Sequence, residues 1–65
     1  MGEFAMKDTL VEIVKINEND YEINCSKHGC LYDVVPAPFL AEAMLKIADV
    51  LASSYNERCY FTIEK

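Results

Sequence analysis

The residues of this chain whose types and spacing come nearest to chemistry lie in one run, Cys25-Ser26-Lys27-His28-Gly29-Cys30. Two thiols and an imidazole this close suggest metal ligation, a disulfide between Cys25 and Cys30, or a nucleophile and base pair. All three require the side chains to converge, and convergence depends on the strands that carry them. If Ser26, Lys27, His28 and Gly29 form a four-residue turn, the facing pairs are Cys25 with Cys30, Ile23 with Tyr32, and Tyr21 with Val34. That face is wholly apolar, and the other carries Glu22, Asn24, Leu31, Asp33 and Val35. Gly29 suits the position of a longer hairpin loop that needs positive φ. The pattern points both cysteines inward and leaves His28 at the tip, so reduced, half-buried thiols are expected. A catalytic thiol also needs a lowered pKa and an orienting third group in a cleft, which so small a domain has little room to build. No catalytic residue is assigned.

The Cys-x-x-His-Gly turn resembles one half of a small zinc knuckle or ribbon, over six residues only. The resemblance implies two ligands from the turn, and only Cys59 remains elsewhere to complete a set with Cys25, His28 and Cys30. A small zinc-binding module using these residues is therefore an alternative, while the expectation is no metal and no cofactor. Three cysteines cannot all pair within one chain, which favours free thiols.

Residues 9–16 alternate Leu10, Val14 and Ile16 with Val11, Ile13 and Lys15, a β-branched strand with apolar residues on both faces. Asn17-Glu18-Asn19-Asp20 is a run of turn formers, so a second hairpin is expected there. Pairing Ile16 with Tyr21 sets Lys15 opposite Glu22 and Val14 opposite Ile23, and it places Glu12 on the apolar face opposite Cys25. Pro36-Ala37-Pro38 stops the sheet and pre-sets the first helical turn. From 39 to 55, Leu40, Met44, Ile47 and Leu51 recur at helical spacing, widened by Ala43, Val50 and Ser54, and Asn56 suits a left-handed cap. Residues 58–64 alternate Cys59, Phe61 and Ile63 against Tyr60, Thr62 and Glu64, a half-buried strand. The order predicts an α+β domain, a three-stranded antiparallel meander with one amphipathic helix on a single sheet face and then a final strand (β-β-β-α-β). Residues 1–5, ahead of Met6, read as a vector-derived leader, and 6–65 as the domain.

Sixty-five residues support one domain with a thin core, so self-association, including a homodimer, is a standing expectation. A formal charge of −5 argues against direct nucleic-acid binding, which needs a basic patch. The apolar run of 39–51 is interrupted by Glu42, Lys46 and Asp49, so no membrane span and no secretory signal are read, and a cytoplasmic location is expected. Glycine loops for phosphate are absent.

Two features bear on partners. Glu18, Asp20, Glu22 and Asp33 would form an acidic tip able to meet a basic protein surface or imitate phosphate. Val11, Ile13, Leu31 and Val35 would form an apolar patch on the face away from the helix, suited to a partner or a second copy. The expected function is that of a small acidic, non-catalytic protein-binding module. In size and charge it has the look of the phage or mobile-element proteins that inhibit or modulate a host protein. A purely structural homo-oligomer is the remaining alternative.

Overall fold

The computed structural model describes residues 6–64, so the reading of 1–5 as a leader lies outside the described residues. The chain runs β1 (Lys7–Lys15), β2 (Asp20–Cys25), β3 (Gly29–Pro36), a 3₁₀ turn (Ala37–Phe39), α1 (Leu40–Tyr55) and β4 (Glu57–Glu64). The expected α+β order is what the chain adopts. The sheet is four-stranded in the order β3-β2-β1-β4, antiparallel through the hairpins, with β4 parallel to β1. A strand that follows a helical crossover from β3 returns parallel to it. The meander has already made β3 parallel to β1.

Local chemistry sets the boundaries. Pro38 lies in the 3₁₀ turn that leads into α1, and the Ala37 N–H donates to the Asn19 carbonyl at 2.7 Å, joining the helix start to the β1–β2 turn. Glu42 sits in the first turn of α1, where a carboxylate complements the helix dipole. The helix ends at Asn56, left-handed at φ 55°, whose N–H returns to the Leu51 carbonyl. Gly29 takes φ +84°, a conformation costly for any residue with a Cβ.

The β1–β2 register differs from the expected one by a single residue. Val11 faces Cys25, Ile13 faces Ile23 and Lys15 faces Tyr21. The turn carries this register on past Lys15: the Ile16 N–H donates to the carbonyl of Asp20, the residue opposite it, at 3.0 Å, and the Asn17 N–H donates to the same carbonyl at 3.4 Å. The Asn17 side chain accepts from the Asn19 N–H at 2.8 Å and donates to Asp20 at 3.1 Å, locking the turn. One residue of slip exchanges the two faces of a strand. Val11 and Ile13 are therefore fully buried under α1, and Glu12 points to solvent. The slipped alternative would have put that carboxylate in the core at a cost of several kcal/mol by the usual scale.

The β2–β3 pairing is corrected in part. Ile23 faces Tyr32 as expected, but Cys25 faces Gly29, Asn24 faces Cys30 and Tyr21 faces Val35, with irregularities on either side of Ile23. Gly29 joins the strand, leaving a three-residue loop, and the bulges restore the pairing at Ile23. The core is Val11, Ile13, Ile23, Cys25 and Val35 of the sheet against Ala43, Ile47 and Leu51 of α1.

The observed register carries a direct test. Ile13→Val should cost about 0.5–1.5 kcal/mol and Ile13→Ala about 2–5 kcal/mol, whereas Leu10→Ala on the opposite face should cost under about 1 kcal/mol. Urea unfolding followed by circular dichroism measures all three, and a costlier Leu10 variant would restore the slipped register.

Candidate functional site

α1 covers one face of the sheet and packs chiefly toward β4. The other face has no layer over it among the described residues. It is built from the even-numbered positions of β1, β2 and β4, and strand pairing fixes which side chains meet. Leu10 lies beside Tyr60, Glu12 between Thr62 and Asn24, and Val14 between Glu64 and Glu22. Leu10 is 39% exposed and Tyr60 47%, while Val14 is half-buried. Cys30, paired to Asn24, extends the face onto β3, and its thiol donates to Asp33 Oδ1 at 3.1 Å. Glu12, Glu22, Asp33 and Glu64 thus share one surface with the apolar pair Leu10 and Tyr60 and with Val14, which the row of Thr62, Glu12 and Asn24 separates from that pair. Arg58, beside Asp8 at one end, is the basic residue of this face among the described residues.

Of the four acids expected at one tip, three fall on this side of the sheet. Asp20, at the end of β2 and accepting from Asn17, shares the parity of Glu22, and Asp33 lies on the same side, whereas Glu18 lies in the β1–β2 turn. The expected apolar patch is corrected. Val11, Ile13 and Val35 are buried beneath α1, and Leu31 is half-buried against the same core. Their replacements on the open side, Leu10 and Val14, were legible as the opposite parity of the same strand.

The four residues of the metal alternative are not brought together. Cys25 is buried in the core and Cys30 is exposed on the opposite side, so the expectation that both point inward holds for Cys25 alone. Cys59 is half-buried. His28 packs its ring on Tyr55, with centroids 4.5 Å apart, and its Nε2 lies 2.9 Å from Glu57 Oε1. No group of three or more His, Cys, Asp or Glu side chains placed to hold a metal occurs among the described residues.

Sequence reasoning missed Glu57. It is 7% exposed, sits between His28 and Lys27, whose Nζ is 3.8 Å from Oε2, and ties the β2–β3 turn to the start of β4. Thr9, also buried, has its hydroxyl near the Glu57 carboxylate without closing a hydrogen bond of full geometry. Beyond His28, an apolar groove of about 440 Å³ opens between α1 and β3, walled by Leu31, Tyr32, Ile47, Val50 and Tyr55. No helix of the described residues is long and apolar enough to cross a membrane.

The His28 hydrogen bond holds the Glu57 carboxyl below its ordinary value of 4.5, against the upward push of desolvation and with help from the nearby Thr9 hydroxyl and the charges of His28 and Lys27. A depressed folded-state pKa stabilises fully above the unfolded value and is lost as pH falls through the folded one. Between about pH 6 and pH 3, Glu57→Gln should therefore show a shallower loss of stability than the wild type, measured by thermal unfolding at each pH. Cys30 behaves oppositely. Its bond to Asp33, then desolvation and the charges of Asp33 and Glu22, raise the thiol, while burial raises Cys59. Under native conditions a thiol reagent at pH 8 should modify Cys30 first and slowly, Asp33→Ala should speed it, and all three cysteines should react only on unfolding.

The chain matches no family model, and neither curated proteins nor solved structures show a significant likeness to it.

Proposed function

We propose that this protein is a small acidic, non-catalytic binding module that docks on another protein through the uncovered face of its sheet and modulates or inhibits that protein by covering it. The observation that carries this reading is the composition of the face, with Leu10, Val14 and Tyr60 exposed or half-exposed among Glu12, Glu22, Asp33 and Glu64. Leu10 and Tyr60 lie side by side at one end of the face and Val14 stands among Glu12, Glu22 and Glu64, a mixture suited to a contact that pairs charges as well as burying apolar area. Their carboxylates favour a basic partner and speed its approach, an effect that weakens with salt. A net charge of −5 works against a second copy of the same face as the occupant. The absence of a catalytic role is supported by the scatter of the thiols over different environments and by the engagement of His28 with Glu57.

Affinity purification from the source cells with three tagged proteins tests this. A partner recovered by the wild type should also be recovered by Val50→Asp, which alters the groove between α1 and β3. It should be lost, by about tenfold or more, with the double variant Leu10→Asp and Tyr60→Asp, whose fold is checked by circular dichroism. Recovery by the double variant and loss by the groove variant would move the function to the groove.

A further inference from the structure

We infer that two copies of this chain join through the free edge of β4, their β4 strands pairing antiparallel about a two-fold axis so that the sheets of both become one. The inference is independent of the docking reading above, since it uses the edge of the sheet and not its open face. The strand order leaves β3 and β4 as the two edges, and they are built differently. The pairing of β3 is interrupted on either side of Ile23, and the strand carries Asp33 and ends at Pro36, all features that keep an edge from accepting another strand. β4 has no such guard along its middle. Its 8 residues pair with β1 in unbroken register, without Pro, Gly or Lys. Alternate backbone N–H and C=O groups then point outward, where no strand lies among the described residues.

The side chains of β4 specify the strand that pairs with them. On the open side its charges stand at opposite ends, Arg58 near the start and Glu64 at the finish. A parallel copy would bring like ends together. In an antiparallel pair centred on Phe61, Arg58 of each copy faces Glu64 of the other, Tyr60 faces Thr62, and Cys59 faces Ile63. Opposite charges directly across a ladder are favourable and like charges are not, and a slip of two residues separates both ion pairs. Most acids of the open face are set back from this edge. Glu12, Glu22 and Asp33 lie on β1, β2 and β3, while Glu57 is held by His28 and Lys27.

The helix side of the sheet agrees. Glu42, Lys46, Asp49 and Val50 line the hollows between α1 and β3, so the opposite flank of α1, with Ala41, Met44, Leu45, Ala48 and Ala52, is turned toward β4. That flank has no charged residue, and Leu45, at 72%, is the most exposed large apolar side chain among the described residues. Below it Cys59 and Phe61 are half-buried and Ile63 is 53% exposed, whereas Val11 and Ile13, their neighbours on β1, are fully buried. In the dimer Phe61 meets its own copy at the axis, and the two apolar flanks of α1 turn toward each other above it. The axis stands perpendicular to the sheet, so both open faces look the same way and stay uncovered.

Sedimentation equilibrium of the full chain, from micromolar to millimolar concentration, tests this. The wild type should pass from monomer to dimer. Arg58→Glu and Glu64→Arg, each checked for fold by circular dichroism, should each weaken the dimer by roughly tenfold, because each sets like charges across the ladder. Mixed in equal amounts, the two variants should form a mixed dimer tighter than either makes alone, read by native mass spectrometry, since each then supplies the charge the other lacks. Leu45→Glu should also weaken the dimer while leaving β4 untouched. A wild type that stays monomeric at millimolar concentration overturns the inference. So does a dimer indifferent to both charge exchanges, or one that mixing the variants does not restore. A dimer unmoved by Leu45→Glu removes the helices from the interface and keeps the strand pairing.

Discussion

The double acceptance at the Asp20 carbonyl, from the N–H groups of Ile16 and Asn17, is the contact on which the faces of this protein depend. It closes the hairpin with Ile16 opposite Asp20, one step beyond the Lys15–Tyr21 pair, and so fixes the register of the ladder. Everything on β1 then has its side assigned. Thr9, Val11 and Ile13 go under the helix, and Leu10, Glu12 and Val14 go to the open side. Because β1 lies between β2 and β4, its register is transmitted both ways, aligning Val11 with Cys25 on one side and Phe61 on the other. The energetics agree with the turn. A carboxylate kept in water and two β-branched side chains fully buried outweigh any gain from the Lys15–Glu22 pair that the slipped register offers, which is worth under about 1 kcal/mol.

The same assignment separates the charges. Acidic residues gather on the uncovered face, while Lys7 and Lys15 fall on the other parity of β1 and Lys46 on the helix. At the end of the sheet opposite the β1–β2 turn, polar groups are used structurally. Glu57 is buried, yet it holds His28 and Lys27 of a turn that has few apolar contacts of its own. A buried carboxylate is tolerable only with such partners. His28, the most reactive-looking residue of the chain, is thereby a clasp that fixes the β2–β3 turn over the start of β4.

Element types were legible because local signals agree along the chain. Proline at the helix start, Asn56 at its end, Gly29 in the turn and the spacing of Leu40, Ile47 and Leu51 each say the same thing as the pattern around them. Register was not legible from periodicity, since β1 is apolar on both parities and no face declares itself. Glu12 was the residue that could decide. Its appearance in the core of the expected register was a physical conflict, and shifting the turn by one residue resolves it. The site suffered in proportion: Glu22 and Asp33 were recognised, but the apolar residues beside them were taken from the wrong parity. Glu57 had no local signal, because its burial is created by a turn 29 residues away in the chain.

A domain of this size has few apolar residues to divide between stability and recognition. Its core holds Val11, Ile13, Ile23, Cys25 and Val35 against a single 16-residue helix. Leu10, Val14 and Tyr60, placed on the open side, contribute less to that core than they would beneath α1. Polar replacements there would raise solubility at little cost in stability, as surface substitutions usually do. The turn contact at Asp20 thus fixes the register that builds the core and, on its reverse, the face assigned to binding in the function proposed.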